Sequence, residues 1–480
     1  MLRPAVALFA FLVALSPAVS GRRPRTPSNP IQRENAEPGS RAWERPLSPG
    51  PAIEGYASQV SVRPGSSLDL HVSTNPPARY RVEVFRIGWY RGDGARRIAC
   101  VPTCAGDEQG AALPVRPPDP DTGFLDAGWP VTDRIEIPRS AVSGYFVAEL
   151  VLTSGELSGH AADVPFIVRA PKRRQRSAIL VQAAVNTWEA YNNWGGKSLY
   201  DFNSTNRKRA TRVSFERPLG PGLVGPARYE YQLVRFLERH GFDVSYTTDV
   251  DTDRSPGRLR RHRLVLSAGH DEYWSKRMRD AFEAARDSGT NLGFVGADAA
   301  DWQIRYADAR RTIVEYRDAS ADPEPDPALK TTRFSQLVPP RPQCQLVGVT
   351  YHGYDASGQH DYAVASGALP DRWFRGTGLT DASIIRGVVG YEWDGVDPGC
   401  NGPKPTVLLR YEGPPSAEAV RYRARSGAVV FSSGTLSFSW ALDAFRDLGI
   451  GRQVPVDTRV QRFMRNVFRT LSTSRPEPGE

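Results

Sequence analysis

The stretch Arg263 to Ser275 reads RLVLSAGHDEYWS. Its apolar run, Leu264-Val265-Leu266, has the composition of a buried strand, and His270, Asp271, Glu272 and Tyr273 follow it directly. Two other segments are equally rich in polar and aromatic groups. NTWEAYNNWGGKSLYDFNS holds Tyr191 and Tyr200, and GADAADW holds Asp298. Phenol and carboxylate oxygens are hard donors. Tyrosinate is an established iron ligand, and a highly charged metal keeps a phenol deprotonated well below its free pKa of about 10. Two tyrosinates and one carboxylate suit a ferric ion and leave positions open for water. Other chemistries lack their usual marks: the chain has no GxSxG elbow, HExxH pair, phosphate-binding P-loop or complete GxGxxG.

These groups need a scaffold, and the surrounding pattern supplies one. AILVQAAV, FDVSYTT, RLVLSA and NLGFVGA read as four short buried strands. Between them, PARYEYQLVRFLERHG reads as a helix that begins at Pro226 and stops at Gly241, with Leu233, Phe236 and Leu237 on one face. SKRMRDAFEAARDSG reads as another, capped by Ser275 and ending before Gly289. TVLLRYE and GAVVFSSG look like later strands, and DTRVQRFMRNVFRTL closes the pattern as an amphipathic helix through Val460, Met464, Val467 and Leu471. Alternating strands and helices predict an α/β domain with a parallel sheet and helices on both faces, over about residues 177–475. Ligands of such sheets bind outside the carboxyl ends of the strands, which is where all three polar segments fall.

Upstream the texture differs. From about residue 54 to 169 short strands follow one another without a helical pattern, which predicts an immunoglobulin-like β-sandwich. Residues 21–53 are rich in proline, serine and charge and read as an exposed linker. Residues 1–20, with Arg3, an apolar core from Ala5 to Leu15 and the small residues Ala18 and Ser20, fit a signal peptide. A secreted or cell-envelope protein follows, with no integral membrane segment after cleavage. In an exported chain the four cysteines pair most simply as Cys100–Cys104 and Cys344–Cys400. The net charge of +9 comes mostly from arginines interleaved with acids, and no zinc finger, RNP motif or basic helix accompanies them, so no nucleic-acid partner is expected.

NTWEAYNNWGGKSLYDFN, GHDEYWS and GADAADWQIR together resemble the C-terminal domain of the N,N-dimethylformamidase large (β) subunit family. The resemblance implies a fold like that of class I glutamine amidotransferases (flavodoxin-like), without their cysteine nucleophile. It also implies a mononuclear ferric iron (Fe3+) held by Tyr191, Tyr200 and Glu272. His270 lies beside the metal, and Asp298 stands where the family has an asparagine. His270, Glu272 and Asp298 are then the catalytic candidates. After Tyr200 this chain has DFNSTN where the family has a glycine-rich continuation, and Asp271 stands where it has proline.

Other roles for the same residues are physically reasonable. Asp271 suits the N-terminus of the following helix, Tyr273 and Trp274 suit packing, and His352 and His360 suit the surface of a glycine-rich loop. The functional expectation is an exported amide or C–N bond hydrolase acting on a small-molecule or cell-surface amide, as a possible homo-oligomer. The alternative is a metal-free extracellular protein that binds carbohydrate or a surface, with the aromatic segment from Asn186 to Tyr200 suited to stacking on sugars.

Overall fold

A computed structural model describes residues 29–171, 176–220, 225–445 and 454–473. The signal segment expected at residues 1–20 lies outside the described residues. Nine strands form the central sheet: β1 (Ile179–Ala183), β2 (Val244–Thr248), β3 (Leu264–His270), β4 (Asn291–Ala297), β5 (Thr350–Val364), β6 (Ile384–Gly395), β7 (Thr406–Tyr411), β8 (Ala417–Arg423) and β9 (Val429–Ser432). Their order is β2-β1-β3-β4-β9-β8-β7-β5-β6. The β2 to β9 half is parallel. From β9 onward every pairing is antiparallel. The sheet is therefore mixed, not wholly parallel as expected. The segment read as a glycine-rich surface loop is the long strand β5, and His360 on it stacks on Tyr411 with ring centroids 4.6 Å apart.

Alternation within each buried strand decides which helix covers which face. Ile179, Val181, Leu264 and Leu266 point to one side, where helices α2 (Tyr231–Arg239) and α4 (Thr458–Thr473) bury Leu233, Phe236, Leu237, Val460, Met464, Val467 and Leu471. Leu180, Val265 and Leu292 point to the other, against Met278, Phe282 and Ala285 of α3 (Lys276–Asp287). Ser275 caps α3 as expected, its Oγ accepting from the Met278 N–H at 3.2 Å. The helix expected from Pro226 is interrupted at Glu230 (φ −114°), whose carboxylate accepts from Tyr145 Oη and, at 2.7 Å, from Trp188 Nε1.

The N-terminal part holds a six-stranded sheet and a three-stranded sheet around one apolar core that includes Leu70, Val82, Ile135, Phe146 and Val168. The segment read as an exposed linker is bound to the rest of the molecule from residue 29 on. Pro30–Glu34 form a short helix that buries Ile31, Glu34 accepts from Tyr90 Oη and Arg96 Nε (2.8 Å each), and Trp43 stacks on Phe445. A few apolar and acidic side chains make this strap, and the surrounding proline and serine concealed them. Both expected disulfides are formed, Cys100–Cys104 and Cys344–Cys400.

A wholly buried ion pair helps join these parts. Arg86, on the N-terminal strand Arg79–Ile87, meets Glu238 of α2 through two parallel bonds of 2.9 and 2.8 Å, and both side chains are wholly buried. Every remaining position around the pair is used: Tyr246 Oη and Asn35 Nδ2 donate to Glu238, and Arg86 donates to Ser143 O and Tyr90 Oη. Removing one partner of such a pair strands a buried charge, at a cost of about 3–5 kcal/mol. Glu238→Ala is therefore expected to lower the unfolding free energy by about that much in urea titrations. The Arg86→Met, Glu238→Leu double variant, which removes both charges, is expected to lose clearly less; equal losses would refute this account of the joint.

Candidate functional site

The chain leaves β1 and β3 toward opposite neighbours, and their carboxyl ends flank the crevice where sheets of this kind bind ligands. β1 is followed by α1 (Val185–Tyr191), whose last residue is Tyr191. The next turn brings back Tyr200. Its backbone N–H donates to Ser198 Oγ (2.9 Å), and Asn203 Nδ2 donates to Tyr191 O (3.0 Å). The two phenol rings consequently lie against each other, with centroids 4.3 Å apart.

β3 and β4 end side by side, and the chain beyond them stays paired. Ala300 N donates to Asp271 O, and Asp301 N and Trp302 N both donate to Glu272 O. The Glu272 N–H donates to Thr187 Oγ1 (3.0 Å) on α1. Asp298 is in left-handed backbone geometry (φ +52°) and is held by its N–H on Asp394 Oδ1 and by Gln343 Nε2 on its carboxylate.

The sequence candidates meet here. Tyr200 Oη lies 2.8 Å from both carboxylate oxygens of Glu272. Tyr191 Oη is 3.1 Å from His270 Nε2, which is 3.4 Å from Glu272 Oε2. Carboxylate oxygens of Glu272, Asp298 and Asp301 lie within 4.8 Å of one another. Asp271 has a different place from the one expected. It is completely buried and accepts from Gln182 Nε2, Ser267 Oγ and Trp274 Nε1 at 2.7–2.9 Å, bracing the turn from beneath. Tyr273 and Trp274 are packed in the core as expected, and the Tyr273 hydroxyl also meets Arg317.

Four functional residues were missed. Asp301 sits in the segment already singled out. Glu392 and Asp394 lie on β6, two residues apart and so on one face of the strand; the pattern YEWDG carried that signal. Arg317, whose backbone is left-handed (φ +63°), places its guanidinium 4.1 Å from the Tyr200 ring centroid and 4.4 Å from that of Trp302. No local pattern marks it.

Acids outnumber cations in this pocket. Burial, then Asp301 and Glu272, push the Asp298 carboxyl well above its ordinary range. Burial, then Glu272 and Asp301, do the same to Glu392. Asp301 is pushed up to about 6 by burial, against the pull of Arg333, and Asp394 to about 7, again mainly by burial. Burial also lowers His270 and so favours neutral imidazole. Tyr191 and Tyr200 are raised well above 10, by burial and then by Glu272. Oε2 of Glu392 makes no hydrogen bond, although it is 3.4 Å from His270 Nε2. Hard oxygen donors, surplus acid and an unpartnered buried carboxylate oxygen fit a hard, highly charged cation, which would stabilise the anionic forms that burial now opposes.

The protein is thus a mixed-sheet α/β protein with an acid- and tyrosine-lined pocket at the carboxyl ends of its parallel strands. It belongs to the family described as N,N-dimethylformamidase beta subunit-like, C-terminal, whose profile matches residues 81–452. That match begins within the N-terminal strands, upstream of residue 177. The chain is 22% identical over 235 residues to the N,N-dimethylformamidase beta subunit of Paracoccus aminophilus, covering 40% of this chain and 30% of that one. It is 21% identical over 234 residues to the N,N-dimethylformamidase beta subunit of an Alcaligenes species, with the same coverage. The chain spans less than a third of the length of these relatives. A sulfur carrier protein, SoxY from Chlorobium limicola f thiosulfatophilum, is 12% identical and covers 26% of this chain and 86% of its own, with a TM-score of 0.14 that bears no weight.

The raised carboxyls make stability depend on pH. Folded Asp301 and Asp394 hold protons that the unfolded chain releases near its ordinary value of 3.8. Their stabilisation is complete below that value and disappears as pH rises through about 6 to 7. Metal-free protein is expected to unfold at lower urea concentration at pH 8 than at pH 5. Asp394→Asn, which keeps the acceptor for the Asp298 N–H, should narrow that difference.

Proposed function

We propose that the chain is an exported hydrolase that cleaves an amide or related C–N bond at a mononuclear ferric site held by Tyr191, Tyr200 and Glu272. The observation that carries this reading is the approach of Tyr200 Oη to both oxygens of Glu272, with Tyr191 and His270 closing the same pocket. When bound, the metal would polarise the amide carbonyl and acidify a water.

The chain's own groups handle protons and position. Neutral His270 accepts a proton at Nε2, the nitrogen that faces Glu272 and Glu392. Glu392, whose Oε2 lies 3.4 Å from His270 Nε2, is placed to take that proton from the imidazole and pass it to the departing amine. Arg317 holds the Tyr200 ring from its outer face. Asp298 stays near the carboxylates through Gln343 and Asp394.

The finer fold assignment belongs to the same reading. Counted in chain order within the parallel half, the strands run 2-1-3-4-5, as in flavodoxin-like sheets. That supports an amidotransferase-like domain, preceded by an immunoglobulin-like sandwich. The two disulfides support an oxidising compartment outside the cytoplasm. Among the described residues no helix is long and apolar enough to cross a membrane. The substrate class is a small-molecule or cell-surface amide, and self-association is compatible with the site.

Natively purified protein is expected to carry about one iron per chain and a visible tyrosinate-to-iron charge-transfer band. Glu272→Ala and Tyr200→Phe should lose the metal and the colour. His270→Ala should retain iron while amide hydrolysis falls about 10²- to 10⁴-fold. Colourless protein that takes up no iron on reconstitution would overturn the reading.

A further inference from the structure

The residue after the short strand Thr312–Val314 is an acid that the proposed mechanism does not use. Glu315 is wholly buried and its N–H donates to Thr211 O, yet neither carboxylate oxygen has a hydrogen-bond partner in normal geometry. A cation stands beside it. Arg317 Nε lies 3.4 Å from Glu315 Oε2 and also lacks a hydrogen bond. Burial outweighs the pull of Arg317 and pushes the Glu315 carboxyl up to about 8. A buried acid and guanidinium so incompletely satisfied are a cost that apolar side chains of similar size would avoid. Stability alone therefore does not explain them.

Arg317 shows what the arrangement holds. Its guanidinium lies 4.1 Å from the Tyr200 ring centroid and 4.4 Å from that of Trp302, and it donates to Tyr273 Oη. Its backbone is fixed as firmly. Tyr316 N donates to Thr331 Oγ1 (2.9 Å) and Thr332 Oγ1 donates to Arg317 O (3.2 Å), where the loop of residues 318–330 returns. Asp322 ties that loop down, accepting from both terminal nitrogens of Arg305 and from Thr331 N and Oγ1 at 2.7–2.8 Å. These bonds impose the left-handed backbone of Arg317 (φ +63°), a conformation that costs free energy outside glycine.

We infer that Glu315 is a positioning residue: it holds the Arg317 guanidinium against the Tyr200 ring and, through that cation, sets how strongly Tyr200 donates to a metal. The inference rests on the proposed ferric site, in which Tyr200 is a ligand. A cation over a phenolate is attracted to the negative face of the ring and draws electron density from its oxygen. Groups that touch a ligand rather than the metal orient it and tune the metal in this way. Arg317 supplies the charge, and Glu315 and the Asp322 loop supply its place.

The test is the tyrosinate-to-iron band of the natively purified chain and of Arg317→Met, Arg317→Lys and Glu315→Ala, with iron content and urea midpoint read alongside. Arg317→Met should keep iron and move the band to longer wavelength, because the phenolate loses the cation that stabilises its electrons. Glu315→Ala should move it the same way by less, since the guanidinium is loosened rather than removed. Loss of the carboxylate's own charge, acting without Arg317, would move it the opposite way. Arg317→Lys should restore part of the shift seen with Met. A band that stays in place in Arg317→Met and Glu315→Ala while only the urea midpoint changes overturns the inference and leaves the ferric site standing, and so does a shift to shorter wavelength in Glu315→Ala. Unaltered protein with neither iron nor colour overturns both. If Arg317→Met does not fold, the direction of the shift in Glu315→Ala decides.

Discussion

Two parallel strands come unusually close at the point where they end. A side chain at Gly296 of β4 would place its Cβ only 1.8 Å from the carbonyl oxygen of Gly269 on β3, and Gly269 itself needs a left-handed backbone (φ +66°). Glycine at both positions allows the contact. Because the strands close there, the segments that follow remain paired through Asp271 O and Glu272 O. That pairing sets Glu272 beside Asp298 and Asp301. Asp271, locked by Gln182, Ser267 and Trp274, prevents the turn from relaxing. Left-handed geometry at Asp298 and Ala300 is the local strain this arrangement keeps.

Everything else in the pocket approaches that turn from other elements. Tyr191 and Tyr200 come from the far side of the crevice, on a loop pinned by Ser198 and Asn203, while Glu392 and Asp394 arrive on β6 from the antiparallel half. Gathering acids in a buried place is costly unless protons or a cation compensate them. Arg317 over Tyr200 and Arg333 beside Asp301 offset part of that charge. The remainder appears as the raised carboxyls of Asp298, Glu392 and Asp394. Without a cation, the protein therefore keeps the site by holding protons. The sealed Arg86–Glu238 pair plays a comparable part at the joint between N-terminal strands and α2, where a charge is tolerated because each polar position around it is filled.

Local signals carried much of this into the sequence. Several buried strands of the parallel half carry short apolar runs, and the rule that sites form at their carboxyl ends brought out Tyr191, Tyr200, His270, Glu272 and Asp298 together. What stayed hidden depends on distant parts of the chain. Glu392 and Asp394 lie far along the sequence, on a strand whose place beside the pocket follows from pairings with β5. Asp271 carries an acid's usual preference for a helix start, and only burial shows that its partners are Gln182 and Trp274. The strap at residues 29–53 has a linker's composition, and nothing local says that Ile31 joins the core or that Glu34 and Trp43 find partners as distant as Arg96 and Phe445.

A net charge of +9 describes neither end of this molecule. Parallel strands followed by helices aim helix N-termini at the carboxyl end of the sheet and helix C-termini at the amino end, so the backbone's own partial charges favour acids at one and cations at the other. Side chains follow the same polarity here. Glu272, Asp298, Asp301, Glu392 and Asp394 collect at the carboxyl end, while Arg176, Arg239, Arg263 and Arg469 crowd the amino end. The backbone term is felt only within about one helical turn, so it cannot create either cluster. It lowers the cost of each, and the loops then decide their chemistry. At one end they bury the acids and leave Glu392 Oε2 without a hydrogen bond; at the other they leave the arginines open to solvent. The same polarity thus accommodates a recessed acidic cluster able to hold a cation at one end and solvent-exposed arginines at the other.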